Sequence, residues 1–213
     1  MNGEIKFTRL ISKIFNPILA INYVFLFCLF YTFSIENQSF LNIFTLIKLF
    51  AIYLTITSIL PAFTMFFINK YPSVNIFYKS HISDNHAYFT IYSIYFFIAY
   101  LFFTLLGVAY WIEIALLYPI ISIVIIALFN RFIKTNFACL IMGTITFYMY
   151  YLTIYFNNSF SIIPFIISIL FSGLVCYSQL SMKISSNKEM ALSYLLGILS
   201  CITTIIFKLI FQE

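Results

Sequence analysis

The sequence predicts an all-α, polytopic membrane protein, a single domain over residues 1–213 with about seven transmembrane helices, N-terminus in and C-terminus out. Three observations carry this. First, the chain is 63% hydrophobic with 8% charged side chains, where a soluble domain carries roughly 25% charged and 45–50% apolar residues. Water could not solvate a surface so poor in charge, whereas hydrocarbon accepts it. Second, long unbroken apolar stretches of bilayer-crossing length fill the chain; a helix needs about 20 such residues to cross a core of about 30 Å. Third, nine of the eleven Lys and Arg residues fall on one side of the membrane that those stretches imply.

Residues 1–16 precede the first stretch. Lys6, Arg9 and Lys13 recur there at helical spacing among Ile5, Phe7, Leu10, Ile11, Ile14 and Phe15. This reads as an interfacial amphipathic helix on an anionic leaflet, or as a plain charged flank of the first span. No small-x-small cleavage site follows the next apolar run, so a cleavable signal peptide is not expected. Spans are predicted near 17–34, 43–68, 87–107, 111–130, 137–156, 160–177 and 191–210. The stretch 87–130 holds one charge, Glu113, and is too long for one crossing. Gly107 and Trp111–Glu113 mark its turn, with Tyr110 and Trp111 at headgroup level. Glu113 is read as a span-end carboxylate reaching water, and Lys48 as a snorkelling lysine. Continuous runs rather than ten-residue alternation argue for helices over a barrel. Pro61, Pro119 and Pro164 lie inside spans, each removing a backbone hydrogen bond. Gly143, Ser172, Gly173 and Gly197 are small enough for close helix contact, although none forms a GxxxG pair.

The orientation follows from the cations. Lys6, Arg9, Lys13, Lys70, Lys79, Arg131, Lys134, Lys183 and Lys188 share the N-terminal side and Lys208 lies opposite. Short cytoplasmic loops retain Lys and Arg, so the expected location is the cell inner (plasma) membrane, multi-pass. Scattered cations between apolar spans do not make a nucleic-acid groove. Asn37-Gln38-Ser39 and Asn157-Asn158-Ser159 match the glycosylation triplet but arise readily in an Asn-rich chain.

Few residues can carry chemistry. There is one Asp, five scattered glycines and two histidines, His81 and His86. These supply no phosphate loop, no paired-Asp metal motif and no HExxH. Cys28, Cys139, Cys176 and Cys201 all sit in apolar runs without ligand spacing, and read as small apolar side chains. No metal or cofactor is expected.

Three segments on the basic side, Lys79–Ala87, Ile133–Asn136 and Ser178–Ser193, carry a resemblance. Their spacing is similar to the signature K-x6-R-P, S-G-H, S-R-x5-H-x3-D of the type-2 phosphatidic acid phosphatase family, membrane lipid phosphate phosphatases. The chain looks most like a divergent bacterial branch with Ile14-Phe15-Asn16-Pro17 at its start. The resemblance implies a helical bundle over about residues 9–200. It also implies a site at the family-equivalent positions Lys79, His86, Asn136, Gln179, Ser185 and Glu189. Lys79 and Ser178 match the motif. His86 and Ala87 stand where the family has Arg-Pro, Asn136 where it has the general acid His, Gln179 where it has Arg, Ser185 where it has the nucleophilic His, and Glu189 where it has Asp. Without an imidazole nucleophile, a proton donor or a bidentate cation, no catalytic residue is assigned and the family's hydrolysis of lipid phosphates is not expected to survive.

What the resemblance leaves is Lys79, Lys134, Lys183 and Lys188 as headgroup-binding candidates, alongside the plain reading that they are the lysines any inner-membrane protein keeps on its cytoplasmic side. The expected partners are membrane lipids and partner membrane helices. The alternative to a lipid-binding protein is a non-enzymatic structural or assembly subunit of a membrane complex. A small transporter would need an internal repeat and interrupted helices with midplane polar groups.

Overall fold

A computed structural model describes residues 17–35, 43–70, 84–129, 135–156, 159–182 and 184–211. The expected interfacial segment 1–16, together with Lys79, His81, Lys134 and Lys183, lies outside them. Among the described residues every regular element is helical. These are α1 (Pro17–Ile35), α2 (Ile43–Leu54), a π-helical stretch (Thr55–Ile59), α3 (Leu60–Lys70), α4 (Asp84–Leu105), α5 (Tyr110–Phe129), α6 (Phe137–Phe156), α7 (Ser159–Ser181) and α8 (Asn187–Ile210). The rod α2–π–α3 and the helices α6, α7 and α8 are long and apolar enough to cross a membrane over Phe44–Phe67, Phe137–Phe156, Ile162–Ser181 and Asn187–Ile210. Shorter apolar stretches lie in α1, α4 and α5.

Sequence chemistry sets the helix ends. At the end of α4 the Val108 N–H reaches the Phe103 carbonyl at 3.4 Å and the Gly107 N–H reaches that of Thr104 at 3.0 Å. Gly107 takes φ +66°, the left-handed stop that a residue without Cβ adopts at least cost. α8 starts before its apolar run because Ser186 and Glu189 form a reciprocal cap. Glu189 Oε2 accepts the Ser186 N–H at 2.9 Å, and Ser186 Oγ accepts the Glu189 N–H at 3.4 Å. Helices α5 and α7 run through Pro119 and Pro164. Pro61 is treated differently. Just before it the Leu60 N–H bonds the Thr55 carbonyl, five residues back, and that widened turn is the π stretch. The Thr57 hydroxyl donates to the Tyr53 carbonyl and that of Thr64 to the Pro61 carbonyl, both at 2.8 Å.

The described residues fall into two compact units, one within Met1–Val24 and Val124–Glu213, the other within Phe25–Ile123. In the second unit α2, α3 and α4 all touch the π stretch. Its core is aromatic. Tyr53 stacks on Phe25 at 3.7 Å between ring centroids, and Phe103 meets Phe25 edge-on at 5.2 Å. In the first unit α6 is the shared partner of α7 and α8. It is the most buried of the three, α8 less so and α7 least. Ile163, Ile166, Leu170 and Leu174 of α7 are exposed, the surface that a helix facing hydrocarbon presents.

The direction of the three helices can be read from their contacts. Asn136 meets Gln179, Cys139 meets Cys176 and Tyr150 meets Phe165. Advancing along α6 is going back along α7 by equal steps, so the two are antiparallel in fixed register. Asn136 also meets Ser193, and Thr144 meets Ser200; here both positions advance together, so α6 and α8 are parallel. Gly143 and Gly197 let their backbones touch. A Cβ added at Gly143 would run into the Tyr194 carbonyl oxygen, and one at Gly197 into that of Leu140. These two glycines, which form no sequence pair, pair across helices.

Candidate functional site: a polar cluster around Asn136

Asn136 precedes the first residue of α6 and caps it. Its Oδ1 accepts the Cys139 N–H at 3.1 Å, satisfying one of the donors that a helix start leaves open. The amide nitrogen then reaches two other segments. Nδ2 donates to Gln179 Oε1 at 3.2 Å, in the last turn of α7, and to Ser185 Oγ at 2.7 Å, in the connection to α8. The backbone N–H of Asn136 donates to Ser193 Oγ at 2.8 Å, and the Ser193 hydroxyl donates to the Glu189 carbonyl at 2.6 Å. The connection is itself tied back, with the Ile184 N–H on the Gln179 carbonyl at 3.1 Å. Asn136 and Gln179 are 8% and 7% exposed, so the cluster is nearly closed to solvent, and Ser185 is its half-buried edge.

Asn136, Gln179 and Ser185, spread over the second and third sequence segments, are thus in direct hydrogen-bond contact. Glu189 joins them through its backbone carbonyl and Ser193, while its carboxylate is engaged in the α8 cap. Lys188 is exposed in the first turn of α8. Lys134 and Lys183 lie outside the described residues, as does Lys79. His86 is described only as a backbone position in the first turn of α4. Sequence reasoning passed over Ser193 as an anchor and missed the pairing of Cys139 with Cys176. The cysteine pair follows from helix register, three residues along α6 from Asn136 and three back along α7 from Gln179, whereas Ser193 is brought in by α8.

An Asn side chain offers two donors and one principal acceptor, and here all are engaged. With Gln179 Oε1 and Ser185 Oγ both accepting from Asn136, the Gln179 amide hydrogens and the Ser185 hydroxyl hydrogen are the donors left for an incoming oxygen. Among the described residues the side chains that bond one another in the cluster are amides and hydroxyls, groups that can hydrogen-bond an anion. No group of three or more His, Cys, Asp or Glu gathers among the described residues. A shallow apolar groove lined by Ser58, Ile59, Ala62, Phe63 and Phe66 contains none of the site candidates. Compared with protein-family models, curated proteins and solved structures, the chain matches none.

Proposed function

We propose that this chain is a multi-pass inner-membrane protein of seven spans, N-terminus cytoplasmic, that binds anionic lipid headgroups through a degenerate lipid-phosphate-phosphatase-type site and does not hydrolyse them. The observation that supports it is the Asn136–Gln179–Ser185 cluster. Positions far apart in the chain, related only by the spacing of that family's motif, share one hydrogen-bonded knot where two helices begin and one ends. Helix starts favour anions because their N–H groups are unpaired. Lys134, Lys183 and Lys188 are sequence neighbours of the knot, and each lysine near an anionic surface is worth about 1 kcal/mol.

The test compares phosphatidic acid with phosphatidylcholine bound to purified protein by native mass spectrometry. Phosphatidic acid should be retained about tenfold better, a difference of roughly 1.4 kcal/mol. Replacing Lys134, Lys183 and Lys188 together by Ala should remove most of that preference, a loss of up to about tenfold. No phosphate should be released. Equal retention of the two lipids would sink the headgroup reading, and phosphate release that is lost in Ser185→Ala or Asn136→Ala would sink the claim of an inert site.

A second reading rests on the internal saturation of Asn136. A side chain with all its hydrogen-bonding capacity engaged is what a structural latch needs, and a non-enzymatic structural or assembly subunit would keep it for that reason. On this reading Asn136→Ala lowers thermal stability by about 1–3 kcal/mol, the cost of orphaned buried partners, and leaves lipid preference unchanged.

A further inference from the structure

We infer that Cys139 and Cys176 form a dithiol site that closes to a disulfide by exchange with a small apolar disulfide, with Cys176 the attacking thiol and Cys139 the resolving one. The inference is independent of the headgroup reading.

Four observations carry it. The two sulfurs are 3.5 Å apart, in hydrogen-bond contact, and both cysteines are free. The contact is a rung of the fixed α6–α7 register, one turn from the Asn136–Gln179 rung, so the thiols are held opposite each other by the helix pairing. Closing the bond requires the sulfurs to approach from 3.5 Å to about 2.05 Å. The thiols also differ in access. Cys139 is fully buried and Cys176 is half-buried. An external disulfide therefore meets Cys176 first, and only Cys139 is placed to displace what it leaves behind. Cys28 and Cys201 are fully buried.

The chemistry balances as ordinary thiol–disulfide exchange. Cys176 loses its proton and attacks one sulfur of the reagent R–S–S–R. A mixed disulfide Cys176–S–S–R forms and one R–SH leaves with the proton. Cys139 then loses its proton and attacks the Cys176 sulfur. The protein disulfide forms and a second R–SH leaves. The protein is oxidised by two electrons, the reagent disulfide is reduced by two, and no reagent atom stays on the chain. The product staples α6 to α7 beside the Asn136 cap.

The probe is 4,4′-dithiodipyridine, a neutral apolar disulfide, added to the full chain in liposomes. The released thiopyridone is followed by absorbance and the protein by intact mass. Wild type should release about two thiopyridones per chain, carry no pyridyl adduct and lose two hydrogens in mass, with peptide mapping joining Cys139 to Cys176. Cys139→Ser should release about one and keep a stable adduct on Cys176. Cys176→Ser should release none before denaturation. The wild-type measurement stands by itself if either variant misfolds. A persistent pyridyl adduct on wild-type Cys176, a disulfide to Cys28 or Cys201, or no release at all would overturn the assignment.

Discussion

Asn136 and Tyr53 are opposite solutions to the same difficulty, a polar side chain inside an apolar helical protein. Asn136 engages its whole side chain in holding α6, α7 and the connection to α8. The Tyr53 ring is fully buried, and its hydroxyl lies beside that of Thr57 without a well-aligned hydrogen bond to it. The Thr57 hydroxyl nearby is turned to the Tyr53 carbonyl. The ring earns its place by stacking on Phe25, an interaction that Phe would keep. Leaving a buried polar group unsatisfied costs about 1–3 kcal/mol. Tyr53→Phe is therefore expected to raise stability by about 1 kcal/mol, seen as a higher melting temperature in detergent. A fall of similar size would show that the hydroxyl has a partner. At this scale the sequence names Asn136, Gln179 and Ser185 together only through a resemblance in spacing, and the hydrogen bonds from Asn136 to the other two are what the structure adds. Ser193 was not legible, because one serine in an apolar run carries no mark of the neighbour it will meet.

At the scale of the helix pair, small residues decide how closely backbones approach. Without a hydrophobic drive between helices in lipid, association rests on close packing and interhelical hydrogen bonds. The α6–α8 contact uses both. Gly143 and Gly197 remove the side chains that would hold the backbones apart, and the Thr144 and Ser200 hydroxyls stand 3.0 Å from each other. Gly197→Ala puts a methyl group against the Leu140 carbonyl and should destabilise by about 1–3 kcal/mol. Gly173 gives the control, since a Cβ there meets nothing within 4 Å. Gly173→Ala should be neutral or stabilising by up to about 1 kcal/mol. Equal effects at Gly173 and Gly197 in thermal unfolding would mean that the close approach is not what matters. Most of the helices were legible from their apolar length, and the stop at Gly107 from the one residue type that takes a left-handed turn readily. The Gly143–Gly197 pairing was hidden because it depends on the register between separate helices. The π stretch before Pro61 was hidden too, because proline announces a lost hydrogen bond without saying how the chain absorbs it.

For the whole molecule the governing quantity is the distribution of charge along an apolar chain. The proposed seven-span arrangement would gather Lys6, Arg9, Lys13, Lys70, Lys79, Arg131, Lys134, Lys183 and Lys188 on one side. Moving such residues through the bilayer centre costs at least roughly 2.5–3.5 kcal/mol each on insertion scales, so the arrangement that strands the fewest of them outside is the one that inserts. The proposed arrangement puts the Asn136 cluster, next to Lys134 in the chain, on the cytoplasmic side. It also puts the connection between α6 and α7, at Asn157–Asn158, on the other. In a chain with its four native cysteines replaced by Ser, Lys134→Cys should react with a membrane-impermeant maleimide only after the vesicle or cell is opened, whereas Asn158→Cys should react in intact cells. Removing Lys134 takes away one of nine cations, so the orientation should survive the probe. Labelling of position 134 from outside would invert the molecule and carry the cluster to the wrong face for a cytoplasmic headgroup. Labelling of both positions from one side would mean that α6 does not cross, and the seven-span count would fail with it.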